Sequence, residues 1–176
     1  FGAIGPDYQP GHAHADTFNF ELYVHGRPVI VDTGTSTYEI NATRFYERST
    51  AAHNTVVVND RNSSEVWGGH RVARRAKVKI TEDLPGRLEA RHNGYHPCHI
   101  RKIKKTTDGI HIEDQIKGKG ETYFHFHPDE VPTVEQHTLT GTDYQIIFSG
   151  AITVETVKSW YAPEFNKRIP NPCFRI

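Results

Sequence analysis

Methionine is absent from all 176 residues. A chain without even an initiator residue is expected to be a piece of a longer polypeptide or a processed product. Cysteine is scarce, with only Cys98 and Cys173, too few for a disulfide framework. One bridge and two free thiols both fit, so the cysteines leave the redox compartment open. Neither charge is in excess, with 21 Lys+Arg against 21 Asp+Glu. That balance argues against a nucleic-acid arm or a polybasic membrane patch as the main binding mode. No apolar run approaches the roughly 18 residues that a membrane span needs. Hydrophobic residues at 36% with no net charge are not the mix of a disordered chain. The length suits one domain, at most two small ones, and a globule of this size hides roughly 70% of its unfolded surface.

What is present is short-period alternation. Residues 17–24 (TFNFELYV) place Phe18, Phe20, Leu22 and Val24 on one face at period two. His25-Gly26-Arg27 turns into an apolar run over 28–32, which predicts a hairpin. Further strands are predicted at 54–59, 76–81, 87–91, 98–106, 110–117, 122–127, 133–140, 144–148 and 152–157. Turn chemistry separates many of them: Pro85-Gly86, Asn93-Gly94, Asp108-Gly109, Gly118-Lys119-Gly120, Gly141 and Gly150. Strands at this spacing predict an all-β fold, an antiparallel β-sandwich of two packed sheets. One short helix is expected over 42–48. The first eleven residues, with three Gly and two Pro, read as a lead-in loop, leaving 12–176 as the domain.

Histidine is plentiful at 12 residues, which invites a metal or proton-transfer site. The densest run is Gly11-His12-Ala13-His14-Ala15-Asp16. On a strand the two imidazoles would share a face, suited to a metal or to an active-site pair. The plainer alternative is a hydrogen-bonded pair at a strand mouth. Asp32 ends the predicted hairpin, and His53 precedes the apolar run 54–59. Ionisable groups at the ends of core strands are costly unless paired or coordinated. One Asp and two His suit a tetrahedral Zn²⁺.

These residues carry a resemblance. Gly11–Asp16 as quoted, Phe20-Glu21-Leu22, Gly26-Arg27-Pro28, Val31-Asp32-Thr33-Gly34-Thr35 and the run 48–56 (RSTAAHNTV) are similar to the C-terminal part of heparinase II/III-like polysaccharide lyases. Glu65-Val66-Trp67-Gly68 and Arg71-Val72-Ala73 continue the likeness, which is strong over roughly 10–80. It implies a β-sandwich that follows an N-terminal helical toroid, the missing partner domain of the same polypeptide. It implies a structural zinc held by His14, Asp32 and His53, with His12 left to face the substrate. It further implies β-elimination of a uronic-acid polysaccharide, heparin/heparan-like or alginate-like. In that chemistry the C5 proton becomes acidic only when the neighbouring carboxylate is neutralised, and a base and an acid then move protons. Tyr38 and Tyr46, between two of the implied ligands, are the catalytic candidates beside His12. The family's other catalytic Tyr, His and Asn come from the toroid, so the piece by itself is expected to be inactive.

Weaker signals have bland readings. His125 and His127 are expected on the polar face of a strand. Arg71, Arg74, Arg75, Lys77 and Lys79 form a basic stretch that could meet an acidic glycan or water. Trp67 and Trp160 could stack on sugars or act as anchors. Asn41 and Asn62 fit short glycosylation patterns. Two other functions compete: a non-catalytic carbohydrate-binding or scaffold sandwich, and a cupin-like metalloenzyme. The second lacks its usual Glu shortly after the His pair, since Glu21 is seven residues past His14. The expected location is periplasmic or extracellular, with no nucleic-acid partner and no membrane span.

Overall fold

The computed structural model describes residues 2–6, 8–150 and 153–176. Strands dominate. β1 (Leu22–Val24) and β2 (Arg27–Ile30) form the first hairpin, followed by helix α1 (Ala42–Glu47) and β3 (Val56–Val58). A second hairpin joins β4 (Glu65–Trp67) to β5 (Arg71–Ala73). Then come β6 (Val78–Leu84), β7 (Arg87–His92), β8 (His99–Lys105), β9 (Ile110–Gln115) and β10 (Gly120–His125). A three-strand meander follows as β11 (Thr133–Glu135), β12 (Thr138–Thr140) and β13 (Gln145–Ile147). The chain closes through β14 (Glu155–Val157), β15 (Trp160–Tyr161), β16 (Ile169–Pro170) and β17 (Cys173–Arg175).

The fold is an antiparallel β-sandwich. One four-stranded sheet has the order β14-β17-β10-β3 and the other runs β6-β7-β8-β9 in sequence order. The β1–β2 hairpin joins the first sheet through a bridge between Ile30 and Phe126. Phe20, Leu22 and Val24 do pack on one core, made by Val29, Ile30, Phe126, Leu139 and Phe174. Burying Phe126 completely contributes about 1.5–3 kcal/mol on its own. Phe18 breaks the predicted strand 17–24. Its backbone is left-handed at φ 70°, and its ring sits edge-on to His92 and His99, at 4.8 and 5.1 Å. The predicted strand 133–140 is likewise a hairpin, folded where Gln136 takes φ 51°.

Polar side chains tie the layers together. Asn54 is fully buried and holds three segments: its Nδ2 donates to the Phe20 and Val31 carbonyls, and its Oδ1 accepts from the His125 amide. Arg101 reaches from β8 to the Phe18 and Asn54 carbonyls. Cys98 and Cys173 are both free thiols, which answers the question the sequence left open. Ile4, inside the predicted lead-in loop, is buried against Ala13 and Ala76. Ile152, in the predicted strand 152–157, lies outside the described residues.

Candidate active site

Pro10, with its fixed φ, starts a single 3-10 turn over Pro10–His12, closed by the Ala13 amide bonding to the Pro10 carbonyl at 3.0 Å. The chain then runs extended with Ala13 and Ala15 inward, which turns His12 and His14 outward. The alternation is that of a strand, but the first strand begins only at Leu22; the histidine pair therefore sits on a turn and its extension. Asp32 follows β2, where Gly34 at φ 76° lets its amide return to Asp32 Oδ1 at 2.8 Å. His53 caps a second 3-10 turn, Thr50–Ala52.

Three segments thus bring His14, Asp32 and His53 together. His53 Nδ1 donates to Asp32 Oδ2 at 2.7 Å, and Asn19 Nδ2 donates to the same oxygen at 2.6 Å. The rings of His14 and His53 lie 5.3 Å apart. Burial alone would raise the Asp32 carboxyl, but the His53 charge, its hydrogen bond and the Gly34 amide hold it well below the carboxylate range. Burial would lower His53, and the Asp32 charge and hydrogen bond push it up instead. His14 is pulled down to about 3 by burial, then by His53 and Arg44, so it is neutral at pH 7. The donor types are those a divalent cation needs: a neutral imidazole, an ionised carboxylate, and His53 Nε2, buried without a well-formed hydrogen bond. Apart from His53 Nε2, the donor atoms named here are engaged within the protein. His53 Nδ1 holds Asp32, and Arg44 Nη1 donates to His14 Nε2 at 3.3 Å. Among the described residues no group of three metal-binding side chains is arranged around one point.

On the outer side, the Tyr38 hydroxyl and His12 Nδ1 share a hydrogen bond of 3.0 Å, with the rings edge to face at 5.2 Å. Both residues are exposed. Arg44 links this pair to the half-buried His14 and through it to Asp32 and buried His53. Its guanidinium lies 5.0 Å from the Tyr38 ring centroid, and its other donors go to the Gly69 and Gly11 carbonyls. α1 presents Arg44 because Asn41 caps the helix, accepting from the Arg44 amide at 3.0 Å. Tyr46 is placed differently. Its ring packs 4.7 Å from Trp160, and burial pushes its hydroxyl up to about 12 against a hydrogen bond from Ser159. The structure does not bring Tyr46 to His12.

Sequence reasoning missed Arg44, Arg48 and Glu47, all buried in or beside α1. Glu47 accepts from the Ser36 amide and hydroxyl and from Trp160 Nε1, which seats the segment carrying Tyr38. A short charged helix carries no periodic signal that would mark these side chains as interior. His125 was expected on a polar face; it is fully buried, between Ser159 Oγ and the Ala51 carbonyl, each at 2.9 Å.

The sequence profile of the family described as heparinase II/III-like, C-terminal, matches residues 1–175. The chain belongs to this family. Heparan sulfate lyase HepC from Pedobacter heparinus superposes with a TM-score of 0.77 at 17% identity. A heparinase III superposes with a TM-score of 0.70 at 18% identity. The likenesses cover 93% and 94% of this chain but only 28% of each of those chains. At such identities they establish the shared sandwich fold. No curated protein matches the chain.

Proposed function

We propose that this chain is the C-terminal domain of a polysaccharide lyase that cleaves uronic-acid glycans of the heparan class by β-elimination. The observation that carries the reading is the solvent-facing hydrogen bond between Tyr38 and His12, backed by the Arg44 guanidinium and the His14–Asp32–His53 group. In this reaction the C5 proton passes to a base, the C4–oxygen bond breaks, a C4–C5 double bond forms and the leaving oxygen takes a proton. Tyr38 and His12 can exchange a proton with each other and with a substrate lying on them. Tyr46 serves in this scheme as an anchor for Trp160. The remaining groups belong to an N-terminal helical domain of the same polypeptide, and the whole works outside the cytoplasm.

We assign the zinc to His14, Asp32 and His53. When bound, the ion supplies fixed positive charge and locks three chain segments that otherwise rely on the His53–Asp32 and Arg44–His14 hydrogen bonds. His12, two residues from His14 yet bonded to Tyr38, stays free of the ion.

The test is turnover of heparan sulfate by the natural polypeptide carrying this domain, read as the ultraviolet absorbance of the unsaturated product. His12→Ala and Tyr38→Phe should each lower kcat by roughly 10²-fold or more, the scale of a lost proton-transfer group. Metal content and melting should stay near wild type. Full activity after either change defeats the assignment of that residue. Loss of metal in His12→Ala would make His12 a ligand.

A further inference from the structure

A groove of about 670 Å³ opens beside Tyr38, between the 36–43 segment and the 165–168 segment. Its walls are preformed: the Asn166 amide donates to the Ser36 carbonyl at 2.9 Å, with Asn166 left-handed at φ 62°. Phe165 is 51% exposed, yet its ring is held 5.2 Å from Tyr38 at an interplanar angle of 34°. Together the two rings extend an aromatic surface outward from the His12–Tyr38 pair. At the groove's edge the Arg168 guanidinium lies 5.4 Å from the Trp160 ring centroid, and its Nη1 donates to Thr43 Oγ1 at 3.0 Å. Trp160 is itself fixed by its hydrogen bond to buried Glu47. The Arg168 fork is therefore oriented by two contacts. Among the described residues no carboxylate pairs with it, although Glu164 pairs with neighbouring Lys167.

A stacked, hydrogen-bonded guanidinium without a counter-ion is preorganised for an external carboxylate or sulfate, because little side-chain freedom remains to be lost on binding. An aromatic face beside it suits the C–H face of a sugar ring. Glu39, which also lines the groove, can accept hydroxyl hydrogens and repels a second anion nearby.

We propose that this groove is a subsite for one anionic sugar unit of an acidic oligosaccharide, with Arg168 holding its carboxylate or sulfate and Phe165 with Tyr38 stacking on its ring. The proposal rests on the lyase reading only for direction, with the glycan running from the His12–Tyr38 pair toward Arg168. Binding is measured by calorimetry on the chain carrying His12→Ala, so that no cleavage intervenes. The probes are a heparan sulfate tetrasaccharide, its desulfated form and neutral cellotetraose. Arg168→Gln should weaken the anionic probes at least 10-fold, with Arg168→Lys in between, and leave cellotetraose unchanged. Phe165→Leu should weaken all three. A loss confined to the sulfated probe assigns sulfate to Arg168; a loss on the desulfated probe as well assigns the uronate carboxylate. Unchanged anionic affinity in both Arg168→Gln and Phe165→Leu overturns the subsite, as does no binding of any probe to the parent chain. If Arg168→Gln unfolds, Phe165→Leu and Arg168→Lys decide alone. Failure of the lyase reading shows separately, as absent unsaturated product in the natural polypeptide while the affinity losses persist.

Discussion

Removing the carboxylate of Asp114 should cost this domain about 4 kcal/mol. Asp114 Oδ1 accepts from His99 Nε2 at 2.6 Å and from Arg101 Nε at 2.7 Å, and Oδ2 accepts from Arg101 Nη2 at 2.8 Å. Arg101 and His99 are both buried. The protons in this network are ordered. The Gly94 amide donates to His92 Nδ1 at 3.1 Å, so His92 Nε2 carries the hydrogen that reaches His99 Nδ1 at 3.0 Å, and His99 Nε2 donates onward to Asp114. Asp114→Ala strands a buried guanidinium, a loss of about 3–5 kcal/mol, and orphans an imidazole N–H worth about 1–3 kcal/mol. The two losses share one site and do not add. At about 2–4 °C per kcal/mol for this size, the melting midpoint should fall by about 8–16 °C. Urea unfolding should show a lower midpoint at unchanged slope. The double variant Asp114→Leu with Arg101→Met should recover most of the loss, because no charge is left buried without a partner.

Acid supplies an internal check. Burial alone would raise the Asp114 carboxyl, but the Arg101 charge and the hydrogen bonds from His99 and Arg101 hold it well below the usual range. The unfolded chain, with an ordinary carboxyl near pH 4, therefore binds the extra proton first. The stabilisation is complete above about pH 4 and is lost as pH falls through the depressed folded value. Wild type and Asp114→Ala should converge in acid. A loss under about 1 kcal/mol at pH 7, or a gap that stays constant below pH 4, refutes the account.

Three further outcomes follow from the same geometry. Gly34→Ala should destabilise by about 2–4 kcal/mol, because Gly34 has φ 76° and a Cβ there would lie 2.5 Å from the Ala162 carbonyl oxygen; a urea midpoint within error of wild type contradicts this. Metal-replete protein should carry one zinc per chain by elemental analysis, and His53→Ala should lose it; full occupancy in that variant removes His53 from the ligand set. His92 is held down to about 3 by burial, then by His99 and Arg101. The unfolded imidazole protonates near 6.5, so this stabilisation is present above that pH and is lost on the way down to about 3. His92→Gln should flatten the stability-against-pH curve between about 4 and 6 by up to about 1.4 kcal/mol per pH unit, and parallel curves would contradict the shift.

The predicted strands from 76 to 127 match β6 to β10 to within three residues at each end, because each has period-two or apolar content and a turn residue at its boundaries. The expected helix over 42–48 is likewise α1, which Asn41 caps and which ends within a residue of Arg48. The short pairs β4–β5 and β15–β16, and β17, went unpredicted. Two or three residues are too few to show a period, and their pairing partners are distant or set by loop geometry. Phe18 shows the limit within a run that was read: its alternation is faultless, yet a left-handed backbone takes it to His92 and His99 instead of the Phe126 core. No local signal announces that, because the pull comes from histidines more than 70 residues away.

The candidate site divides along the same line. The histidine pair, Asp32 and His53 stood out in the sequence as ionisable groups at the ends of apolar or extended runs, where burial demands a partner, whereas the choice of His14 within the pair and the grouping of the three came from the family resemblance. Tyr38 could be named only as one of two tyrosines in a connecting segment. What separates them is α1. It buries Glu47 under Ser36 and Trp160, which holds the Tyr38 segment against His12 and directs Tyr46 onto Trp160. Arg44 and Arg48 are buried for a related reason: their guanidinium groups satisfy the carbonyls of Gly11, Ala13 and Gly69, which lie in irregular segments, and of Arg71 at the start of β5. A site built on loops needs such interior charges to fix its backbone, whereas polarity-based reading assigns charged residues to the surface. That inversion is why the candidate residues could be named from the sequence while the buried charges that hold their segments in place could not.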